Sequence, residues 1–207
     1  KNQNIQLKDR FPSIDGFDGI PNLNESYLLL SRYDGELKEG IVELVDLTNF
    51  KVLHTWNPDM YEFNQLVEPV GTFKFLKRDR NNSRSLLKHP LLLEDGSLVF
   101  HHSTPFRKID ACSNLIFQNT LERTHHSIEK DIDGNIWVPS YIFPQSLPEE
   151  IVGRGHSSEG GSNEDGILKL SPSGKILYRK SLAQIFIDNN LKNYLFGYGV
   201  LYMKDPL

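Results

Sequence analysis

"GILKLSPSGKILYRKSL", residues 166–182, has the pattern of a complete β-hairpin. Two runs in which apolar and polar residues alternate flank a Pro-Ser-Gly-Lys turn. Such alternation places apolar side chains on one face of a strand, and turn residues between two such runs are typical of hairpins. Further copies along the chain would therefore indicate an all-β protein.

Earlier segments of the chain repeat this pattern. The hairpin recurs as IVELVDLTNFKVLHTW at residues 41–56 and as RKIDACSNLIFQNTL at residues 107–121. A second kind of segment pairs a glycine turn with a β-rich run, and it occurs at residues 94–100 and 131–138, with a looser version at 26–35. The two kinds alternate, so together they make a unit of four short strands.

The spacing of the glycine turns sets the size of this unit. The steps from Gly96 to Gly134 and from Gly134 to Gly174 are about 40 residues, the size of a four-stranded propeller blade. A closed propeller has four to eight blades, whereas the hairpins provide for about three. We therefore predict a single all-β domain over residues 1–207. It is a β-propeller whose ring is incomplete or closed by a second chain in a homo-oligomer, with one short helix at residues 182–194.

Two stretches interrupt the repeats. Residues 62–86 carry a charged, polar run at residues 77–84, which predicts an exposed excursion between blades. Residues 144–166 are rich in Gly, Ser and acidic residues and lack an apolar period, which predicts a long mobile loop.

Composition excludes several classes of protein. The 38% hydrophobic and 24% charged residues are typical of a globular chain. A net charge of -4 without a basic face makes nucleic acid an unexpected partner. Cys112 is the single cysteine, so no internal disulfide can form. No apolar run is long enough to span a bilayer. The possibility of a signal or anchor segment ahead of Lys1 stays open.

The histidines are concentrated in the middle of the chain. The segments that begin at His89 and His126 align His on His and Asp-Gly on Asp-Gly, with one extra residue in the second. Equivalent histidines of neighbouring blades would converge on the central channel of a propeller. Side chains alternate along a strand, so only one of His125 and His126 would face the channel, and the alignment favours His126.

Plainer interpretations of the histidines stay open. A histidine at the start of a strand is more often a structural hydrogen-bonding residue than a catalyst, and this alternative applies to His89 and His126. His101 and His102 lead into Ser-Thr-Pro and are expected to be rim or loop residues. His54 precedes a tryptophan in an outer hairpin and is expected to be structural.

The stretch DIDGN, residues 131–135, has two interpretations. It resembles the start of a calcium loop, but Ile142 occupies the twelfth position, where an EF-hand needs an acidic residue. Asp-Gly and Asn are also typical of hairpin turns, and we favour this interpretation. The chain has no cysteine pair and no histidine pair at helical metal-ligand spacing. We expect neither a metal nor another cofactor.

These segments resemble a known family. HHSI followed by DGNIWV, and then DGILKLSPSGKILYRKSL, are similar to segments of the arylsulfotransferase (ASST-type) β-propeller family. The resemblance covers roughly residues 41–207 outside the two irregular stretches. It implies a bacterial enzyme that moves a sulfuryl group from a phenolic sulfate ester to a phenol without a nucleotide donor. It also implies a periplasmic or otherwise extracytoplasmic location, with any membrane anchor outside residues 1–207.

The resemblance assigns roles to particular residues. His126, with His125 as its neighbour, matches the family's histidine ahead of the Asp-Gly turn, and His89 matches the equivalent one blade earlier. Arg154 precedes the next hairpin and is expected to meet the sulfate oxygens. In the family, a segment like MKDPL (residues 203–207) is followed by a His-x-Asn motif that supplies the transiently sulfated nucleophile. That nucleophile is therefore expected after the given residues.

Two alternatives from other classes remain. The first is a non-catalytic propeller of the cell envelope, used for binding or scaffolding. The second is a lactonase-type or metal-dependent propeller, which needs carboxylates and Asn around a channel ion. Propeller folds host many functions, so the fold does not decide between them.

Overall fold

The molecule is built from antiparallel strands with few short helices, as the alternating sequence predicts. The structure is a computed structural model that describes residues 19–21, 24, 27–101, 105–142, 146–147 and 164–194. The strands are β1 (Tyr27–Asp34), β2 (Glu39–Asp46), β3 (Lys51–Trp56), β4 (Lys88–Leu92), β5 (Leu98–His101), β6 (Pro105–Ile109), β7 (Leu115–Thr124), β8 (Glu129–Lys130), β9 (Ile136–Ile142), β10 (Glu164–Leu170) and β11 (Ile176–Ser181).

The strands form two sheets. The first has the order β1-β2-β3, and the second runs β11-β10-β9-β7-β6-β5-β4, with β8 paired to β9. The second sheet consists of two four-stranded antiparallel units, which we call the first meander (β4–β7) and the second meander (β8–β11). Among the described residues, strand pairing between them occurs where Arg123 faces Tyr141 and Thr124 faces Ser140. The predicted hairpins are thereby confirmed. The later two copies of the repeat each contain four strands, whereas the first copy forms three, and blades around a ring and a single domain stay predictions.

One type of turn closes the hairpins of both meanders. Gly96, Ser113, Gly134 and Gly174 each adopt a positive φ, between 68° and 84°. Each donates its backbone N–H to the residue three positions earlier, with matching bonds around the turn. This is a type I turn followed by a left-handed residue, a common three-residue hairpin loop. DIDGN, which contains Gly134, is thus confirmed as a hairpin turn.

One hydrophobic cluster holds the two sheets together, and another holds the two meanders together. The first joins Val42 and Trp56 of the first sheet to Phe100 and Ile109 of the first meander. The second joins Val99 and Phe106 of the first meander to Val138 and Leu168 of the second, among others. Burial of this apolar surface is the main stabilising term for the arrangement.

The prediction of an exposed excursion at residues 62–86 is confirmed for its charged run at residues 77–84, none of which is buried, but other parts of the stretch bury apolar residues in helical turns. The helix α1 (Met60–Gln65) and two 3₁₀ helices (Gly71–Lys77 and Asn82–Arg84) occupy it. These turns bury Phe63, Val67, Phe73 and Leu76. Apolar residues at irregular spacing fit short helical turns, which a search for strand alternation does not detect.

The predicted loop at residues 144–166 lies mostly outside the described residues. Its last residues are not loop but the start of β10, and the Glu164 carboxylate accepts hydrogen bonds from the backbone and hydroxyl of Ser146. The predicted C-terminal helix is confirmed as the shorter α2 (Leu182–Asp188), whose N-cap is Ser181. Within the described ranges, no helix is long and apolar enough to cross a membrane.

Candidate histidine site

The two histidines that the sequence aligns share an unusual backbone conformation. His89 has φ 46° and His126 has φ 61°, both in the left-handed region that residues other than glycine seldom adopt. His89 lies in β4 where its register with β5 shifts, and His126 lies in the bend after β7 ends. Both side chains are exposed. The repeat therefore presents each histidine at a break in regular strand geometry.

His101 connects these two histidines, so the expectation that it is a rim or loop residue is wrong. It ends β5 and is only 2% exposed. Its ring stacks on His89 with centroids 6.0 Å apart, and its Nε2 lies 2.7 Å from the carbonyl oxygen of His126. His102 lies outside the described residues. We call His89, His101, His125 and His126 the histidine site.

The expectation that His125 and His126 point to opposite faces is also wrong. Alternation applies within a strand, but β7 ends at Thr124 and His126 adopts a positive φ. The two rings consequently meet edge to face with centroids 4.7 Å apart, and their Nδ1 atoms are in hydrogen-bonding contact. The pair acts as one unit in which His125 is half-buried and His126 is exposed.

A cross-strand row of side chains supports this pair. Arg123 of β7 faces Tyr141 of β9, which faces Asp165 of β10. Directly opposed residues project from the same face of a sheet. The Tyr141 ring stacks on His125 with centroids 4.2 Å apart, and Asp165 Oδ1 lies 3.3 Å from His125 Nε2. Three strands therefore fix the position of one imidazole.

Arg123 brings a positive charge to the same face. Its guanidinium carbon lies 5.1 Å from the centre of the Tyr141 ring and 5.7 Å from that of Phe75 in the first 3₁₀ helix. Its Nε is buried and has no hydrogen-bond partner among the described residues. Two aromatic rings hold this cation while leaving part of its donor capacity unused.

The electrostatics of the site favour a neutral His125. Burial lowers the pKa of its imidazole, while the Asp165 carboxylate acts in the opposite direction. The charges of His126 and Arg123 lower the pKa further, and a backbone contact with Ser140 raises it. Burial disfavours the charged form of a histidine because water is lost from around it.

The described residues do not assemble a metal centre. Across the described ranges, no group of three or more His, Cys, Asp or Glu side chains could hold a metal ion. Asp131, the first residue of DIDGN, has its carboxylate bound to Lys169 Nζ at 2.9 Å and to the indole of Trp137 at 3.1 Å. The Lys169 bond holds the pKa of Asp131 well below its usual range. This carboxylate serves the turn and the neighbouring strand.

The structure brings together three of the four predicted site residues. His89, His125 and His126 lie in the histidine site, whereas Arg154 lies outside the described residues and stays a prediction. Sequence reasoning missed Tyr141 and Asp165, which join the site through strand register. It also missed Arg123, whose guanidinium lies over the same Tyr141 ring on which His125 stacks.

Comparison with known proteins identifies the family. The model of a protein family described as arylsulfotransferase (ASST) matches residues 89–205, which is more than half of the chain. The match begins at His89 and includes every residue of the histidine site. No curated protein and no solved structure matches the chain. The chain belongs to the arylsulfotransferase (ASST) family.

Proposed function

We propose that this protein transfers a sulfuryl group from a phenolic sulfate ester to a phenol through a histidine intermediate. The main support is the convergence of His89, His101, His125 and His126 within the region that matches the family. Imidazole is suited to both tasks that such a reaction needs, because it can act as a nucleophile and can exchange protons near neutral pH.

Charge stabilisation is the second requirement of the reaction. The transferring sulfuryl group carries negative charge on its oxygens in the transition state, as a phosphoryl group does. Positioned cations and hydrogen-bond donors lower the barrier of such a step. We assign this role to Arg123, whose guanidinium is held by Tyr141 and Phe75 on the face of His125. Arg154 remains a second candidate for the same role.

His126 is proposed as the general acid and base. In the first step, a nucleophilic histidine nitrogen bonds to sulfur while the bond to the phenolic oxygen breaks, and His126 protonates the departing phenolate. In the second step, His126 takes the proton of the acceptor phenol, whose oxygen displaces the histidine from sulfur. The nucleophile itself is the histidine that the family resemblance implies after residues 203–207.

The proposal extends to architecture and location. The two meanders, with their shared turns, are interpreted as two adjacent blades of a β-propeller, and the first sheet as part of a third. The position of the histidine site where the meanders join fits the channel side of such blades. A periplasmic or otherwise extracytoplasmic location follows from the family resemblance.

An activity assay tests the proposal. The full-length protein is incubated with 4-nitrophenyl sulfate and phenol, and release of nitrophenol is followed. We expect release that depends on the acceptor, and a loss of roughly 10²- to 10⁴-fold in His126→Ala, the usual contribution of general acid–base catalysis. Glu129→Gln is the matched control, because Glu129 is exposed in the adjacent β8 and lies outside the histidine site.

Two results would contradict this function. Unchanged turnover in His126→Ala would remove His126 from the mechanism. Saturable binding of 4-nitrophenyl sulfate without any turnover would favour the alternative of a non-catalytic binding propeller.

A further inference from the structure

We propose that Asp165 is a positioning residue that acts through His125 to fix the tautomer of His126, leaving Nε2 of His126 as its reactive nitrogen. The proposal rests on the proposed function, because it concerns the residue assigned there as acid and base. It adds a series of three side chains in contact, Asp165–His125–His126, which no pattern in the sequence predicts.

The first link is the contact between Asp165 and His125. Oδ1 lies 3.3 Å from Nε2, and the histidine side chain is 15% exposed while the aspartate side chain is 57% exposed. Nε2 is buried and makes no aligned hydrogen bond to any described residue, so the contact is between the charged carboxylate and the dipole of the neutral ring. A bare Nε2 lone pair would be repelled by the carboxylate, whereas an N–H is attracted. Asp165 therefore favours the proton on Nε2 of His125.

The second link is the contact between the two Nδ1 atoms. Burial lowers the pKa of the His125 imidazole and so favours its neutral form, which carries one ring proton. With that proton on Nε2, Nδ1 of His125 has a free lone pair. The partner in contact, Nδ1 of His126, must then donate an N–H. A neutral His126 that carries its proton on Nδ1 has an unprotonated Nε2.

The surrounding structure prevents His125 from escaping this arrangement. Its ring is stacked on Tyr141, and its backbone N–H donates to the carbonyl oxygen of Pro139 at 3.0 Å. The register of β9 and β10 places Asp165 beside His125, because Asp165 faces Tyr141 directly. Of the three linked side chains, the exposed His126 is thus the one that can present a nitrogen to a substrate.

The arrangement has a defined consequence for the proton balance. In the first step, the His126 imidazolium gives its Nε2 proton to the departing phenolate and becomes the neutral Nδ1–H tautomer. When the acceptor phenol then gives its proton to Nε2, the imidazolium with N–H groups on both nitrogens is restored. Nδ1–H of His126 then donates to Nδ1 of His125, and the negative charge of Asp165 stabilises the new positive charge. A carboxylate that orients an imidazole and stabilises its cation performs the same task in hydrolase triads.

Ring ¹⁵N NMR of the full-length protein tests the proposal independently of turnover. We expect neutral His126 to be the Nδ1–H tautomer in the wild type and a mixture of tautomers in Asp165→Asn, which keeps the shape but removes the charge. The acidic limb of the pH profile of kcat/KM for the acceptor phenol, in whose reaction His126 is the base, should shift in this variant, with activity reduced about tenfold. Asp133→Asn is the matched control, since Asp133 is an exposed aspartate in the turn before β9.

Each outcome decides the question. An Nε2–H tautomer of His126 in the wild type would overturn the proposal, and so would an unchanged tautomer in Asp165→Asn, even if activity fell. A protein that shows the predicted tautomers but no sulfuryl transfer would instead overturn the proposed function and leave the assignment of Asp165 standing.

Discussion

The two meanders share one frame but surround their equivalent histidines differently. His89 and His126 both follow a break in strand geometry and both have a left-handed backbone. His89 has only His101 as an aromatic neighbour among the described residues, whereas His126 contacts His125, which is backed by Tyr141 and Asp165. The repeat therefore provides the backbone conformation of both histidines, while residues that occur in only one copy provide the chemical environment of His126.

Beyond the two histidines themselves, a large effect is expected from Arg123, a cation that lies on the His126 side. Arg123→Gln should reduce kcat/KM for 4-nitrophenyl sulfate about 100-fold, because the charge that stabilises the sulfuryl oxygens is lost. Arg123→Lys should fall between that variant and the wild type, since it retains the charge without the planar stack on Tyr141. Wild-type kinetics in Arg123→Gln would show that the guanidinium serves packing alone.

Local features of the fold were predictable and long-range ones were not. The turn at Gly134 follows from Asp-Gly chemistry that acts over a few residues, so the sequence predicts it correctly. The burial of His101 depends on rings and backbone brought from other strands, and the contact of Asp165 with His125 depends on the register of β9 and β10. Alternation predicts which residues share a face, but it does not predict where a strand ends.

A smaller effect is expected on the free energy of unfolding when the glycines of two equivalent turns are replaced. Gly134 and Gly174 have φ values of 78° and 84°, and an alanine at either position costs about 1–2 kcal/mol of backbone strain. A Cβ at Gly174 would also lie 2.5 Å from the Phe117 ring, whereas at Gly134 the nearest atom is 3.7 Å away. Gly174→Ala should therefore lower the free energy of unfolding by about 1 kcal/mol more than Gly134→Ala. Urea denaturation measures both, and equal losses would contradict the close packing at Gly174.

The smallest effect concerns the pH dependence of stability that His125 causes. The first meander has no counterpart of this histidine beside His89. Burial holds the pKa of His125 below its ordinary value of 6.5 in the folded protein. As pH falls through that value, the unfolded chain binds a proton that the folded one does not, so stability decreases. His125→Gln should flatten the pH dependence of the free energy of unfolding as the pH falls below the ordinary value of 6.5. An unchanged slope would mean that His125 protonates equally easily in both states.

The most direct test compares the two equivalent histidines in one assay. The quantity is kcat/KM for transfer from 4-nitrophenyl sulfate to phenol by the full-length protein, measured for His126→Ala and His89→Ala. We predict a loss of roughly 10²- to 10⁴-fold for His126→Ala and of at most about tenfold for His89→Ala. Equal losses, or a larger loss for His89→Ala, would contradict the claim that acid–base catalysis lies on the side of the site that His125 and Asp165 support.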